Sequence, residues 1–264
     1  MNVYLAEFIG TAIIIFFGGG VVANVSLTKS KAQGAGWMVI TAAWALGIAT
    51  AVYTVGWISG AHLNPALSIA LAVIGALKWE YLFGYIAAQI LGAMFGSLLV
   101  FLTFKLHFDE EENQGALLAI FCTGPAIRNY FWNCVTEILA TAMFVFGVLG
   151  IGNAKNTAVA FTLSNGAEAS GNIGILGGLL VGFLVWAIGM SFGGPTGYAL
   201  NPARDLGPRI MHALLPIKHK GSSDWAYAWV PIVAPIIGAV LGALLYTAIS
   251  VSYTHLRAHE TELH

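Results

Sequence analysis

The chain has 264 residues, 58% of them hydrophobic and only 9% charged, whereas roughly a quarter of the residues in a soluble domain are charged, so an ordinary soluble protein is excluded. The formal net charge is -1 and no polybasic tract is present, which argues against a nucleic-acid partner and leaves lipid and small solutes as the expected partners. Cys122 and Cys134 are too isolated for a disulfide framework or a CxxC metal site.

Six apolar segments of the sequence are long enough to cross a membrane, because a transmembrane helix needs about 20 mainly apolar residues. In chain order they cover about residues 4–25, 37–58, 81–105, 132–152, 173–192 and 227–250. The first segment has no basic region before it and continues to about Val25, so we interpret it as a retained span and not as a cleaved signal peptide. An even number of crossings places both termini on the same side.

Two further segments, 65–77 and 202–214, are partly apolar but too short to cross. A helix of about 13 residues covers roughly 20 Å, against a hydrocarbon core about 30 Å thick. The sequence therefore predicts two re-entrant half-helices that enter from opposite faces.

An internal repeat organises these elements. GAHLNPA beginning at Gly60 recurs as GYALNPA beginning at Gly197, and Glu7 and Glu137 are each followed four residues later by Thr-Ala. Each half thus contains three spans and one half-helix, and because three is odd, the second copy is inserted upside down relative to the first.

The predicted fold is an all-α membrane protein with six transmembrane helices and two re-entrant half-helices in an inverted repeat. It forms one channel domain over residues 1–251, with the first repeat at about 1–105 and the second at about 131–251. The polar tail 252–264 receives no function.

Pairs of glycines four residues apart also recur. Gly92 with Gly96 and Gly238 with Gly242 stand at matching places of the repeat, and such pairs allow helices to approach closely in lipid. Gly56 with Gly60 and Gly178 with Gly182 are two further pairs. Glycine is frequent in membrane helices, but the matching positions favour a packing role.

The motif Asn-Pro-Ala occurs at Asn64-Pro65-Ala66 and at Asn201-Pro202-Ala203. Asn is a good N-cap and Pro is favoured at the first helical position, so each motif predicts a helix start. A single Asn-Pro would have no functional meaning in most proteins. Two copies at membrane depth place two positive helix ends near the midplane, where the Asn amides offer N–H donors to a passing oxygen and cations meet a barrier.

Irregular backbone is tolerated in a bilayer only where it is buried in protein or lines a cavity. The stretches Gly60-Ala61-His62 and Gly197-Tyr198-Ala199 are therefore expected to present carbonyl oxygens to a pore. Central donors beside a row of acceptors suit the hydroxyl groups of a solute.

Arg204 and Asp205 follow the second motif where the first copy has Leu67 and Ser68. A charge inside a membrane is costly and points to function, and the Arg204 guanidinium is suited to holding neighbouring hydroxyls of one small molecule. The structural alternative is a pairing of Arg204 with Asp205. For Asp205 itself we favour a structural role.

Glu7 and Glu137 are further acids inside apolar segments. They could be proton-relay carboxylates, or each could accept hydrogen bonds from the irregular backbone of its own repeat; their symmetry favours structural support. His62 could titrate and gate the pore, but a histidine beside a re-entrant turn is more often held by backbone hydrogen bonds.

At these residues the sequence resembles the major intrinsic protein family, and within it the bacterial glycerol facilitators, or aquaglyceroporins. The similarity covers about residues 3–250 and rests on the signatures SGAHLNPA and GYALNPARDLGP. It implies homotetramers with one pore per subunit, located in the plasma membrane with cytoplasmic termini. It also implies passive conduction of glycerol, other small neutral solutes and water, with no cofactor, no metal and no catalytic residues.

The resemblance assigns the narrowest point of the pore to Trp44, Gly189, Tyr198 and Arg204. Water-selective members have His where Gly189 stands, so this set resembles a polyol filter in which two aromatic rings face the carbons and Arg204 holds the hydroxyls. Tyr198 departs from the Phe most familiar in this branch, which leaves the preference among glycerol, dihydroxyacetone and urea open. The glycerol-conducting branch also has an acid, a base, a proline and an aliphatic residue where this sequence has Asp205, Arg209, Pro231 and Ile232.

The basic residues predict the opposite orientation. The loops that the resemblance places in the cytoplasm hold Lys78 and Lys155. The opposite loops hold Lys29, Lys31, Arg128, Lys218 and Lys220. The positive-inside rule disagrees with the resemblance, which we follow because the rule is statistical and the counts are small.

Three rival hypotheses remain. A water-only aquaporin is disfavoured by Gly189 and Asp205. A secondary transporter also contains inverted repeats and broken helices, and it predicts saturable uptake driven by a proton or sodium gradient. An intramembrane enzyme would need a nucleophile with a base or a metal cluster, and the seven histidines show no ligand spacing such as HExxH.

Overall fold

Helices make up most of the part of the chain that the computed structural model describes, which is residues 2–172 and 174–261, with the backbone alone at 172, 175 and 251–261. In chain order the helices are α1 (Val3–Ser26), α2 (Trp37–Ser59), α3 (Pro65–Val73), α4 (Trp79–Thr103), α5 (Lys105–Glu110), α6 (Gln114–Phe121), α7 (Tyr130–Ile151), α8 (Ala154–Thr157), α9 (Gly177–Phe192), α10 (Pro202–Leu214) and α11 (Val230–Thr261). The last helix includes the first part of the polar tail, and residues 262–264 lie outside the described residues.

Five of the described helices are long and apolar enough to cross a membrane, namely α1, α2, α4, α7 and α11 over Val230–Ser250. The remaining predicted span, 173–192, starts later than expected, because α9 begins at Gly177 and has 16 residues, or about 24 Å. A 3-10 turn at Gly174–Leu176 precedes it and adds about 6 Å. Turn and helix together match the roughly 30 Å of the hydrocarbon core, which agrees with six crossings; Ile173 lies outside the described residues.

The two predicted half-helices are α3 and α10, each starting at its proline after an asparagine N-cap. Helix α10 has the predicted bounds, but α3 ends at Val73, before the predicted end at residue 77. Gly75 has a φ of 79°, and hydrogen bonds run from Gly75 N to Ala72 O and from Ala76 N to Leu71 O. This Schellman motif terminates the helix.

The connection between the predicted spans 132–152 and 173–192 contains α8 and a β-hairpin, which the all-α prediction did not include. Strands β1 (Ala158–Thr162) and β2 (Glu168–Asn172) pair antiparallel, with Ala158 opposite Asn172. Their turn contains Asn165-Gly166, and Gly166 has a φ of 81°, a strong hairpin signal that the prediction missed. The all-α description therefore applies to the membrane helices. The connection between the predicted spans 81–105 and 132–152 also contains regular structure, namely α6 and most of α5.

The two repeats interlock. Helix α1 packs against α4 as α7 packs against α11, and α2 of the first repeat lies against α9 of the second. Each half-helix packs against the last long helix of the other repeat, α3 on α11 and α10 on α4. The half-helices are thereby held between the two halves of the molecule.

The recurring glycine pairs are sites of close helix contact. A Cβ at Gly96 would lie 2.6 Å from Ala12 O. A Cβ at Gly92, Gly238 or Gly242 would also overlap a backbone carbonyl of the facing helix. A Cβ at Gly182 would likewise lie 2.8 Å from Ala45 O of α2. Gly56 has only ordinary contacts, so the packing role predicted for the pair Gly56 and Gly60 is not observed.

Gly242→Val is expected to destabilise the protein by about 1–3 kcal/mol, because the added carbons overlap α7 backbone that cannot move without separating the helices. The matched control is Gly20→Val, since a Cβ at Gly20 has nothing within 4 Å. Thermal unfolding of the purified protein in detergent measures both. Equal unfolding temperatures for the two variants would contradict the packing role.

The loops that the resemblance places outside the cytoplasm contain more basic residues than the positive-inside rule expects. Several of these basic residues have structural partners. Lys29 pairs with Glu110, and this hydrogen bond holds the pKa of Glu110 below its usual range. Arg128 pairs with Asp224 at 2.5 Å. Lys220 donates to three carbonyl oxygens at the C-terminal end of α10, where a cation is favourable. These basic residues therefore have local structural roles, which the positive-inside rule ignores when it predicts orientation from the number of Lys and Arg in each loop.

Candidate functional site

The segments that precede α3 and α10 have nearly the same irregular backbone. The φ values are 81°, 48° and 52° at Gly60, Ala61 and Leu63, and 81°, 39° and 54° at Gly197, Tyr198 and Leu200. Left-handed φ costs a non-glycine residue about 1–3 kcal/mol and persists only where surrounding contacts hold it. The inverted repeat thus extends to the conformation of the two segments.

Glu7 supplies such contacts in the first repeat. Its Oε1 accepts hydrogen bonds from Ser59 Oγ at 2.6 Å and His62 N at 3.0 Å. Its Oε2 accepts from Leu63 N at 2.6 Å and Gln89 Nε2 at 2.7 Å. The carboxylate is buried and borders neither of the cavities described below.

Glu137 repeats this pattern in the second copy. Its Oε1 accepts from Thr196 Oγ1 at 2.6 Å and Ala199 N at 2.9 Å, and its Oε2 accepts from Leu200 N at 3.1 Å. It is also buried and borders neither cavity. Both acids therefore bond to the irregular backbone of their own repeat, as the structural interpretation expects.

The two central asparagines connect the repeats. The side-chain oxygen of each caps its own half-helix. Asn64 Nδ2 donates to Leu200 O at 2.9 Å, and Asn201 Nδ2 donates to Leu63 O at 2.7 Å. Each amide nitrogen carries two hydrogens, and both asparagines border the inner cavity. One N–H of each remains for the oxygen of a solute.

Two cavities meet at Trp44, Tyr198 and Arg204, which border both. The inner cavity, of about 190 Å³, extends from these residues to Asn64 and Asn201. The outer cavity, of about 350 Å³, continues on the other side. The aliphatic wall of the inner cavity includes Ile14, Ile48, Val52, Leu67, Leu71, Val148, Val181 and Val185. Three of the four predicted filter residues thus lie at this junction, which we call the constriction.

The Arg204 guanidinium lies 4.2 Å from the centroid of the Trp44 ring, in a cation–π contact. Among the described residues it has no ion pair, because Asp205 pairs with Arg209 at 2.7 Å. The alternative of a structural Arg204–Asp205 pair is therefore not observed. Trp44 Nε1 is also buried without a hydrogen-bond partner in the described part of the chain, so the constriction has donors available for a solute.

Gly189 differs from the other filter residues, because it borders neither cavity. A Cβ at this position would lie 3.0 Å from Tyr198 Cζ, so the missing side chain lets the Tyr198 ring lie back against α9. Gly189 therefore contacts Tyr198 and does not itself form part of the cavity wall.

Asp205 anchors the wall of the outer cavity. Its Oδ2 accepts from Thr123 N at 2.8 Å and Thr123 Oγ1 at 2.7 Å. Arg209 bonds to Asp205, to Thr123 O and to the carbonyls of Ser223 and Asp224. Thr123, which borders the outer cavity, was missed in the sequence because no motif marks it.

Most of the expected pore carbonyls are free of protein donors. Gly60, Ala61, His62, Tyr198 and Ala199 border the inner cavity and Gly197 the outer one. Within the described residues, Ala199 O accepts from Asn201 N at 2.6 Å, whereas the other five carbonyls accept no protein hydrogen bond. Ala199 is thus the exception among the predicted acceptors.

His62 is held by side chains as well as by its backbone. Its Nδ1 lies 3.1 Å from Ser68 Oγ, and Ser68 Oγ also accepts from Gln89 Nε2 at 3.0 Å. The His62 ring packs on Tyr85, with the centroids 4.9 Å apart. In the described residues, no group of three His, Cys, Asp or Glu side chains could hold a metal ion.

Comparison with known proteins gives consistent matches over nearly the whole chain. The family model described as major intrinsic protein matches residues 1–246. The probable glycerol uptake facilitator protein of Thermotoga maritima is 56% identical over 233 residues, covering 88% of this chain and 93% of that protein. Glycerol uptake facilitator protein 3 of Lactiplantibacillus plantarum is 50% identical over 245 residues, covering 93% and 95%. The X-ray structure of the aquaglyceroporin from Plasmodium falciparum matches with a TM-score of 0.78 at 28% identity, covering 96% and 98%.

Proposed function

The chain belongs to the major intrinsic protein family, and we propose that it is a passive channel that conducts glycerol and other small uncharged polyols together with water and excludes ions and protons. It is a multi-pass protein of the plasma membrane. We also propose a homotetramer with one pore per subunit, cytoplasmic termini and no catalytic activity. The names of its relatives, glycerol uptake facilitators and an aquaglyceroporin, support this function.

The observation that supports the proposal most strongly is that the constriction has a polar side, formed by Arg204, and an apolar side, formed by the rings of Trp44 and Tyr198. The Arg204 guanidinium has no carboxylate partner among the described residues and stacks on Trp44 at 4.2 Å. The ring of Tyr198 forms a second apolar surface. A polyol has hydroxyls along one edge and carbons along the other, so it can bond to Arg204 while its carbons contact the rings.

Ion exclusion follows from charge at two places. The N-terminal ends of α3 and α10 meet near Asn64 and Asn201, and a helix N-terminus carries about half a positive charge. Arg204 adds a full charge at the constriction. A cation that loses water here gains no anionic partner among the described residues, because no carboxylate borders either cavity.

A water-only pore fits the geometry less well. A larger side chain at Gly189 would meet Tyr198 Cζ, already 3.0 Å from a Cβ placed there. Because the ring rests on glycine, the constriction keeps room for a carbon chain. We therefore assign selectivity for polyols to Trp44, Tyr198 and Arg204, together with Gly189, on which the Tyr198 ring packs. We assign structural support to Glu7, Glu137 and Asp205.

The test is stopped-flow light scattering of proteoliposomes that contain the purified protein. In an inward glycerol gradient we expect rapid shrinkage followed by re-swelling well above that of protein-free vesicles. Water flux without glycerol flux would contradict the proposal. A channel is also expected to ignore uncouplers, whereas saturable uptake that collapses with a proton or sodium gradient would favour a secondary transporter.

A further inference from the structure

Helix α2 brings two tryptophans to the constriction, and only one of them belongs to the predicted filter. Trp37 and Trp44 are seven residues apart, so they lie on the same face of the helix. Trp44 stacks with Arg204, whereas Trp37 borders the outer cavity. Thr41 lies between them, with Cγ2 3.0 Å from the place of a Cβ at Gly189.

Trp37 contacts the part of α9 that supports Tyr198. Its indole Nε1 donates to Gly189 O at 3.0 Å, and this carbonyl also accepts from Gly193 N at 3.2 Å. The Trp37 ring meets the Tyr198 ring edge-on, with the centroids 5.9 Å apart and an interplanar angle of 79°. Trp37 therefore touches both the ring and the surface on which the ring rests.

Gly189 and Gly193 form a groove that receives both aromatic rings. A Cβ at Gly193 would lie 2.6 Å from Trp37 Cζ2 and 2.6 Å from Tyr198 Cδ1. Neither ring could keep its position if Gly193 had a side chain. Tyr198 therefore packs on the groove of α9 and on Trp37, which also borders the outer cavity.

Within the described residues, no hydrogen bond to its hydroxyl holds the Tyr198 ring in place. Its hydroxyl is buried and has no hydrogen-bond partner in the described part of the chain. The position of the ring therefore depends on packing against Gly189, Gly193 and Trp37. Of these three residues, Trp37 is the one that contributes a side chain to the contact.

We propose that Trp37 is a specificity-determining residue of the channel, which sets the width of the constriction by holding Tyr198 in the groove of Gly189 and Gly193. Trp37 is a positioning residue, because it acts on the solute through Tyr198. This inference rests on the proposed function. Without Trp37 the Tyr198 ring can move toward the outer cavity, and polyols longer than glycerol then pass more easily.

The test compares glycerol with ribitol permeability in proteoliposomes for the wild type, Trp37→Ala and Trp37→Phe. We expect the ribitol-to-glycerol ratio to rise about five-fold or more in Trp37→Ala, since about five-fold corresponds to the lower end of the combined free energy of an aromatic contact and a hydrogen bond. Trp37→Phe keeps the ring contact and is expected to recover most of the discrimination. A ratio in Trp37→Phe equal to that in Trp37→Ala would overturn the role of the contact.

Trp57→Ala is the matched control, because Trp57 is on the same helix and is 82% exposed. We expect its ratio to equal that of the wild type. In a Tyr198→Ala background, Trp37→Ala is expected to leave the ratio unchanged, since the residue that Trp37 positions is absent. A wild-type ratio in the single variant Trp37→Ala would overturn the inference, whereas absent glycerol flux in the wild type would instead overturn the proposed function.

Discussion

Arg204→Val is expected to raise the leak of monovalent cations through the channel by about tenfold or more and to lower its selectivity for glycerol. A unit charge about 4 Å from a passing cation contributes about 4 kcal/mol at an effective dielectric constant of about 20. The helix ends at Asn64 and Asn201 retain part of this barrier, so the expected leak is smaller than the charge alone would give. The glycerol hydroxyls lose their donors at the same time.

The fold is expected to survive this substitution, because the buried ion pair nearby joins Asp205 to Arg209 and not to Arg204. Arg204→Lys separates the two roles of the side chain: it keeps the charge and loses the planar fork. We expect this variant to exclude cations nearly as well as the wild type but to conduct glycerol less selectively. Cation flux is measured with an ion-sensitive dye in the vesicles used for glycerol. An Arg204→Val channel with unchanged cation exclusion and glycerol selectivity would contradict the filter assignment.

The features that could be predicted from the sequence are those that the repeat shows twice. Asn64 and Asn201 cap the half-helices, and Glu7 and Glu137 bond to the segments before them. A motif found once would have been ambiguous in each case. Its recurrence at matching positions of an inverted repeat was informative because both copies face the same physical problem, an irregular backbone inside a membrane.

The features that could not be predicted depend on contacts between distant parts of the chain. Trp37 and Gly189 are hydrogen-bonded although 152 residues separate them, and no spacing in the sequence indicates this. Thr123 is joined to Asp205 across 82 residues. By contrast, the early end of α3 had a local signal, since Gly75 is a typical helix C-terminus.

Glu137→Ala is expected to have the largest effect on stability. It leaves Thr196 Oγ1, Ala199 N and Leu200 N without their acceptor, and each unsatisfied buried donor costs about 1–3 kcal/mol. Tyr198 and Leu200 also hold left-handed φ values of 39° and 54°, which then lose their support. We expect a loss of about 3 kcal/mol or more and the disappearance of glycerol flux.

Two comparisons separate this structural role from a proton relay. Glu80→Ala removes an exposed carboxylate from the first turn of α4, and we expect it to leave both the unfolding temperature and glycerol flux unchanged. Glu137→Gln keeps one acceptor oxygen for Thr196 and Ala199 but turns an N–H toward Leu200 N, so we expect a smaller loss of stability than in Glu137→Ala. A relay makes the opposite prediction: Glu137→Ala would unfold at the wild-type temperature, and wild-type uptake would collapse with uncouplers. Because Glu137 touches backbone on which Tyr198, Asn201 and Arg204 all depend, its removal should disturb the constriction and the central asparagines together.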